Sequence, residues 1–369
     1  MNVDYSKYAP EFEVLVNGNE VPLLRNSISS IQVNDELQSS AKFQFSINDE
    51  FGVDKGEFVW FDNPLLQPGN KVSIKMGYAK KLLYLLPVGT IENILSSGFT
   101  NTANQNMTVT GYDDTKKILN DSPKSKDQTT NQELKGNNII KLIQSRYNSM
   151  NKSKLDFSPQ ETTKELSSSV TKNSLNTYGD ILSDQAKRIG WTYFFTRGKA
   201  YYIDPRQKKK AAMTFERGKE IIEFIPKINT SNCYKSVIVR SSHPTSRNSI
   251  KIEVTAGSED KIDNDGLTAS QIAEKLGRES KDVEILCSDD EEAKIRGKAL
   301  LNLLGDDLLT AKCRIVGTPE LKIGQMVQIN RIGKRFSGKY FVTSVTNTIS
   351  SSSGYLTDFS IRSNVLRGI

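Results

Sequence analysis

The sequence predicts a mainly β protein with an α+β insertion, in which two related antiparallel β domains flank a smaller α+β domain. Three observations carry this reading. Both ends of the 369-residue chain consist of short alternating segments separated by turn residues, the pattern of half-buried antiparallel strands. Between them the texture becomes polar and helical. The pattern P-x-L-x-x-G-x-x-V-x-I also occurs twice, as Pro64, Leu66, Gly69, Val72 and Ile74 and again as Pro319, Leu321, Gly324, Val327 and Ile329. Each matched pair is 255 residues apart, as 64 is from 319.

The first β domain is placed at residues 1–115. In "EFEVLVNGNEVPLL", Asn17-Gly18-Asn19 separates two apolar stretches, and Asn and Gly tolerate the positive φ of a tight hairpin. Alternation continues through Ile31 and Val33, then Ala41, Phe43, Phe45 and Ile47, and further strands follow at "KVSIKMGY", "LLYLLPVGTIENIL" and "NMTVTGYD". That is enough strand for a small barrel or a sandwich.

The middle domain is placed at 116–225. Two polar stretches, "NDSPKSKDQTTNQELKG" and "SPQETTKELSSSVTKNS", read as loops around a short helix marked by Ile139, Ile140, Leu142, Ile143 and Tyr147. A second helix opens at Thr177, with Asp180 three residues on, and closes at Gly190. A hairpin about Arg197-Gly198 follows.

The second β domain is placed at 226–369, its strands resuming from Ile221. A polar insertion near 257–287 interrupts them, and then a helix near 289–305. Ser288 and Glu291 form its capping box, and Ile295, Ala299, Leu300, Leu303 and Leu304 line one face. The repeated pattern then leads into this domain as it does into the first. Five identities in eleven positions prove little alone, but Gly at a turn followed by Val-x-Ile is what entry to a strand requires. Gly69 and Gly324 are therefore expected to occupy equivalent turns.

Composition narrows the chemistry. With 36% hydrophobic and 25% charged residues the chain is of ordinary globular type. No apolar run approaches the ~20 residues that span a bilayer, and the N-terminus lacks the signal-peptide pattern, so synthesis and folding in the cytoplasm without membrane anchoring are expected. Cys233, Cys287 and Cys313 are odd in number and widely spaced, which suits buried small hydrophobes better than disulfides or zinc. His243 is the only histidine, which disfavours histidine-based catalysis and metal sites. No cofactor or metal is expected. The net charge of +7 permits an acidic partner, but its one dense run, Lys208-Lys209-Lys210, reads as a solvated loop.

The C-terminal residues resemble a known family. Gly317, Pro319, Leu321, Gly324 and Val327, then Phe336, Ser337, Gly338, Tyr340 and Val342, then Gly354, Tyr355 and Thr357 follow in order the motifs of phage late control protein D and VgrG-type baseplate hubs of contractile injection systems. The middle "YGDILSDQAKRIGWTYFFTRGKAYYID" is similar to that family's helix-plus-hairpin, and the resemblance spans the chain. It implies two tail-tube-like β-barrels per chain and a homotrimer whose six barrels form a pseudo-hexameric ring. Such a ring adapts a hexameric inner tube to a trimeric spike and contacts other baseplate proteins, in a phage tail or a secreted tail-like particle. The sequence ends at Ile369 without an OB-like or β-helix segment, so the spike is expected to be a separate chain.

The remaining candidates for chemistry favour structure. Asp289-Asp290-Glu291-Glu292 sits at a helix start, Asp306-Asp307 in a turn after Gly305, and Asp113-Asp114 at the end of a strand. Ser337 lacks a nucleophile elbow. No catalytic residue is assigned. Trp60 and Phe61 read as barrel core or as an aromatic anchor at a subunit interface. A cell-wall-degrading tail enzyme using carboxylates is the competing expectation, and a nucleic-acid-binding protein the third.

Overall fold

A computed structural model describes residues 9–79, 81–96, 98, 104–122, 136–151, 154–159, 177–207, 210–242 and 249–368. His243, Lys208, Lys209 and most of the two polar stretches of the middle domain lie outside them.

The chain is mainly antiparallel β. Six strands of the first unit are β1 (Pro10–Val16), β2 (Ile28–Glu36), β3 (Lys42–Gly52), β4 (Lys71–Tyr78), β5 (Lys81–Ser96) and β6 (Asn104–Asp113). They lie side by side in the order β2-β3-β6-β5-β4-β1. The middle region contributes α1 (Gly136–Met150), α2 (Tyr178–Ile189) and the hairpin β7 (Thr192–Thr196) and β8 (Lys199–Ile203). The second unit holds β9 (Met213–Glu216), β10 (Ile221–Ile228), β11 (Leu309–Val316), β12 (Met326–Asn330), β13 (Gly338–Ser350) and β14 (Gly354–Ser363), in the order β10-β11-β14-β13-β12-β9. Taken in chain order, the two arrangements are the same.

The agreement extends to single hydrogen bonds. Gly69 and Gly324 both have positive φ, +96° and +72°. Gly69 N–H donates to Ile91 O at 2.9 Å and Ile91 N–H returns a bond to Asn70 O at 3.0 Å. Gly324 N–H donates to Val342 O and Val342 N–H to Gln325 O, both at 2.9 Å. Just beyond, β5 bulges between Ile91 and Asn93 and β13 between Val342 and Ser344. Leu66 and Leu321, Val72 and Val327, Ile74 and Ile329 are all buried. The repeated pattern therefore marks the same turn and strand entry twice. One strand breaks the match: β1 is antiparallel to β4, whereas β9 is parallel to β12.

Several local readings hold. Asn17 and Gly18 take φ of 51° and 84° and Arg197 and Gly198 take 52° and 73°, the left-handed pair that a two-residue hairpin requires. Thr177 and Asp180 form a reciprocal capping box and Gly190 ends α2 at φ 72°. Ile139, Ile140, Ile143 and Tyr147 bury one face of α1.

Others need correction. After Asn17-Gly18 the second arm is only Asn19–Glu20, and Pro22–Ser27 is helical, because Pro22 at the first helical position presets φ where no N–H is needed. The last helix, α3 (Asp290–Gly305), is capped by Asp289, whose side chain accepts from Glu292 N–H at 2.8 Å. Glu292 accepts from the N–H of Ser288, the residue before the cap, so the helix start lies one residue later than the Ser288–Glu291 reading and without its reciprocal box. The polar insertion, in which the sequence marks no elements, contains the helix Ala269–Lys275, capped by Thr268, and the strand Lys281–Glu284. That strand completes a three-stranded sheet with Val237–Ser242 and Ser249–Val254, and α3 covers it.

The two equivalent glycines predict different costs. At Gly69 a Cβ meets nothing within 4 Å, whereas at Gly324 it would lie 2.0 Å from the Phe194 ring. Gly69→Ala should cost about 1 kcal/mol from backbone strain alone, and Gly324→Ala roughly 2–4 kcal/mol because Phe194 must also move. Urea denaturation of the two variants measures the difference; equal costs would contradict this packing.

Candidate assembly interface

The two β units share a backbone ladder. Strand β13 changes neighbours at its bulge: Gly338–Phe341 pair with β12, and Ser344–Ser350 pair antiparallel with Glu36–Ser30 of β2. The sheet thus runs unbroken from β10 through β13 and β2 to β5. Ile31 and Val33 of β2 are buried, and so are Val345, Asn347 and Ile349 facing them. Thr346 Oγ1 donates to Asn34 Oδ1 at 2.8 Å across the ladder. Asn347 Oδ1 accepts from Tyr355 OH at 3.0 Å and Thr357 Oγ1 at 2.9 Å, which satisfies a buried amide oxygen.

Aromatic packing reinforces the joint. Tyr355 belongs to the core of the first unit although it lies on β14 of the second. Its ring centroid is 5.3 Å from that of Tyr78, whose OH donates to Gly317 O at 2.9 Å. Gly317 is required by this approach, since a Cβ there would lie 2.1 Å from the Tyr355 ring.

The β7–β8 hairpin clamps the same place from the side. Arg197 donates to the carbonyls of Pro319 and Leu321, the latter at 2.9 Å, and so holds the repeated pattern of the second unit. Thr196 Oγ1 donates to Asp35 at 2.9 Å, Gln38 N–H to Tyr193 O at 2.9 Å and Leu37 N–H to Thr343 O at 3.1 Å. Beyond the hairpin, buried Arg206 donates to Asp306 at 2.5 Å and to Gly190 O at 2.9 Å, and Arg362 also pairs with Asp306. Asp306, in the turn after Gly305 as expected, is thus also a buried tie between the middle region, α3 and β14.

Two acids are perturbed by burial. Desolvation pushes the Asp35 carboxyl up to about 6 against the opposing effects of Thr196 and Arg197, and pushes Asp113 up to about 7 although Thr115 donates to it. Neighbouring Asp114 is held by Lys71 and Thr90. Asp289 and Glu292 serve the start of α3. Cys233, Cys287 and Cys313 are buried and unpaired. No group of three metal-ligating side chains occurs among the described residues.

The other motif residues shape local structure. Tyr340 is buried and donates to Phe336 O at 2.6 Å, Gly338 lies against the Arg367 guanidinium, and Gly354 begins β14 at φ 67°. Pro64 opens a 3-10 turn capped by Asn63, while Pro319 serves Arg197. Trp60 and Phe61 separate: Trp60 is core at 5% exposure, Phe61 stands out at 39%. Both backbone N–H groups are held by buried Asp49, at 2.9 and 2.8 Å. Phe61 packs with Phe58 and Phe58 with Phe51 on an extension of β3.

This architecture defines a protein of two fused β units of the same strand order, clasped by an α+β element. The chain belongs to the family described as Alg8 N-terminal domain, whose model matches residues 6–351. That description differs from the late control protein D and VgrG-type family which the C-terminal motifs resemble, but the fold is shared with proteins of that kind. The 43 kDa tail protein of prophage MuSo2 from Shewanella oneidensis is 15% identical with a TM-score of 0.69, over 96% of this chain and 98% of that one. A tail protein from Neisseria meningitidis is 12% identical with a TM-score of 0.68, over 96% and 97%. A type VI secretion system component of E. coli, described as structurally similar to T4 bacteriophage tail proteins, is 8% identical with a TM-score of 0.53, over 96% and 76%. No sequence among the curated proteins matches.

Two measurements check this site. An acid whose folded pKa lies above its unfolded value adds stability that is full below about pH 4 and is lost as pH rises through the folded pKa. Wild-type stability should therefore fall between about pH 4 and 7, with up to ~3 kcal/mol of the fall due to Asp35. Asp35→Asn should flatten the part below about pH 6 in urea denaturation, and an unchanged slope would show that Asp35 is not buried as a carboxyl. Trp60→Ala should cost about 3–5 kcal/mol, and Phe61→Ala under ~1 kcal/mol in the isolated chain.

Proposed function

We propose that this protein is a structural baseplate hub of a contractile phage tail or tail-like injection particle. Three chains would present six β units to a hexameric inner tube and receive a separate trimeric spike. The observation that carries this reading is the duplicated six-strand unit, joined edge to edge within one chain. A three-fold assembly of such chains offers six nearly equivalent faces, which resolves the mismatch between a six-fold tube and a three-fold spike. The fold shared with phage tail and secretion-system proteins supports the same role, and so does the order of the C-terminal motifs.

The role is structural and requires no cofactor. Its buried acids tie elements together: Asp49 holds backbone N–H groups, Asp306 pairs with two arginines and Asp114 with a lysine. Its partners are further copies of itself, the tube protein, the spike and other baseplate proteins.

Native mass measurement of the purified protein, alone and with a candidate spike, tests the reading. A three-chain species is expected in at least one condition; a monomer in both, at micromolar concentration, would contradict it.

A further inference from the structure

The two β units make only half of the contacts that their equivalence allows. Inside the chain, β13, the fifth strand of the second unit, pairs with β2, the second strand of the first. The reciprocal pair is β5, the fifth strand of the first unit, and β10, the second strand of the second. These lie seven strand steps apart, or roughly 34 Å along the sheet, and do not pair with each other.

Equivalence fixes the register. The turn bonds and bulges make Ile91 equivalent to Val342, so Asn93–Ser96 corresponds to Ser344–Asn347. Val33 pairs with Phe43 as Pro226 pairs with Ala311, so Val33–Glu36 corresponds to Pro226–Asn229. Carrying over the ladder of the filled joint places Asn93 opposite Asn229, Ile94 opposite Ile228, Leu95 opposite Lys227 and Ser96 opposite Pro226.

Burial marks these edges as one joint filled and one open. Val345 is 1% exposed, whereas its equivalent Ile94 is half-buried, and Asp35 is 4% exposed whereas its equivalent Ile228 is 36%. On the other face, Leu95 is 68% exposed, and Ile225, 53% exposed, lies among the polar Glu223, Lys312, Ser360 and Thr346. The derived register sets Leu95 diagonal to Ile225 and Ile94 against Ile228. Four aliphatic side chains from two distant edges thus become two neighbouring pairs.

The geometry points to a second copy of this chain as the occupant of each edge: Asn93–Ser96 of one protomer pairs antiparallel with Pro226–Asn229 of the next, repeating the internal joint. This rests on the trimer reading and specifies its interface. Pro226 supplies a carbonyl but no N–H, so this ladder has fewer backbone bonds than the internal one and depends more on the aliphatic pairs. The same proline blunts β10 against pairing with unrelated strands.

Disulfide trapping tests the joint. Leu95→Cys with Lys227→Cys in one chain should give cross-linked species on mild oxidation, up to three chains, while either single variant gives none through this pair. Opposed residues of an antiparallel pair bring Cα atoms to about 4.5–5.5 Å, within disulfide range. Independently, Ile225→Lys with Ile228→Asp should abolish the three-chain species with the melting temperature and circular dichroism of the monomer retained. A native trimer with no cross-link, undiminished by the charge variants, would overturn this joint and leave the trimer standing. Specific cross-links in an assembly of another size would support the joint and overturn the trimer. A monomer that never cross-links would overturn both.

Discussion

The ladder between β13 and β2 is the constraint on which the rest of the molecule depends. Every backbone group of Ser30–Glu36 needs a partner once its side chains enter a core, and β3 can serve only one side of the strand. The second unit serves the other. Because the partner is a strand rather than a loop, register is fixed residue by residue, and the apolar side of each unit is aligned with that of its neighbour. Tyr355 then enters the first core from the second unit, and Gly317 must lack a side chain to let it pass. The units are consequently two repeats of one sheet rather than two beads on a linker.

The α+β element reads best as a clamp on that ladder. Its hairpin turn puts Thr196 and Arg197 side by side, one on Asp35 of β2 and the other on the carbonyls leading to β12. Arg197 is buried, and burial opposes its charge while nearby Asp35 favours it. Buried polar groups of this kind add little net stability, but they penalise any arrangement that leaves them unpaired. The joint is thereby specified as well as stabilised. Apart from the reversed direction of β9, the repeats differ in connections: five residues link β2 to β3, whereas the segment between β10 and β11 carries a three-stranded sheet and α3. Strand order survives because such elaboration enters between strands and not within them.

Much of this was legible locally. Asn17-Gly18 and Arg197-Gly198 announce their turns by the φ they tolerate, Thr177 and Asp180 announce a helix start, and the spacing around Gly69 and Gly324 announces the repeat. The helix at Pro22–Ser27 was missed because six residues give too little periodicity, and the start of α3 was misplaced because Ser288 and Asp289 are both good caps. The joint was illegible for a deeper reason. Alternation shows which face of a strand is buried, but carries no record of which strand lies beside it, and residues 30–36 and 344–350 are far apart in sequence. The sequence marks Arg197 and Asp306 only as turn residues and Asp35 and Asn347 not at all, since each matters through a partner that only the fold supplies. Trp60 and Phe61 show the same limit: adjacent aromatics look alike in sequence, and Asp49 decides that one enters the core.

Duplication within one chain has a geometric consequence. Two equivalent units joined head to tail consume one edge of each and leave the other two complementary, so the contact they favour is heterologous and propagates unless it closes. Six equal joints would close a ring if each turned about 60°, and in the proposed trimer three chains would supply six units with half of the joints already covalently organised. The covalent half need not be paid for in lost translational freedom at assembly, so the intermolecular half can be the weaker of the two. In the proposed assembly Pro226 on β10 fits that division, since it removes a backbone donor from the open edge and keeps the side chains that a matching edge would meet.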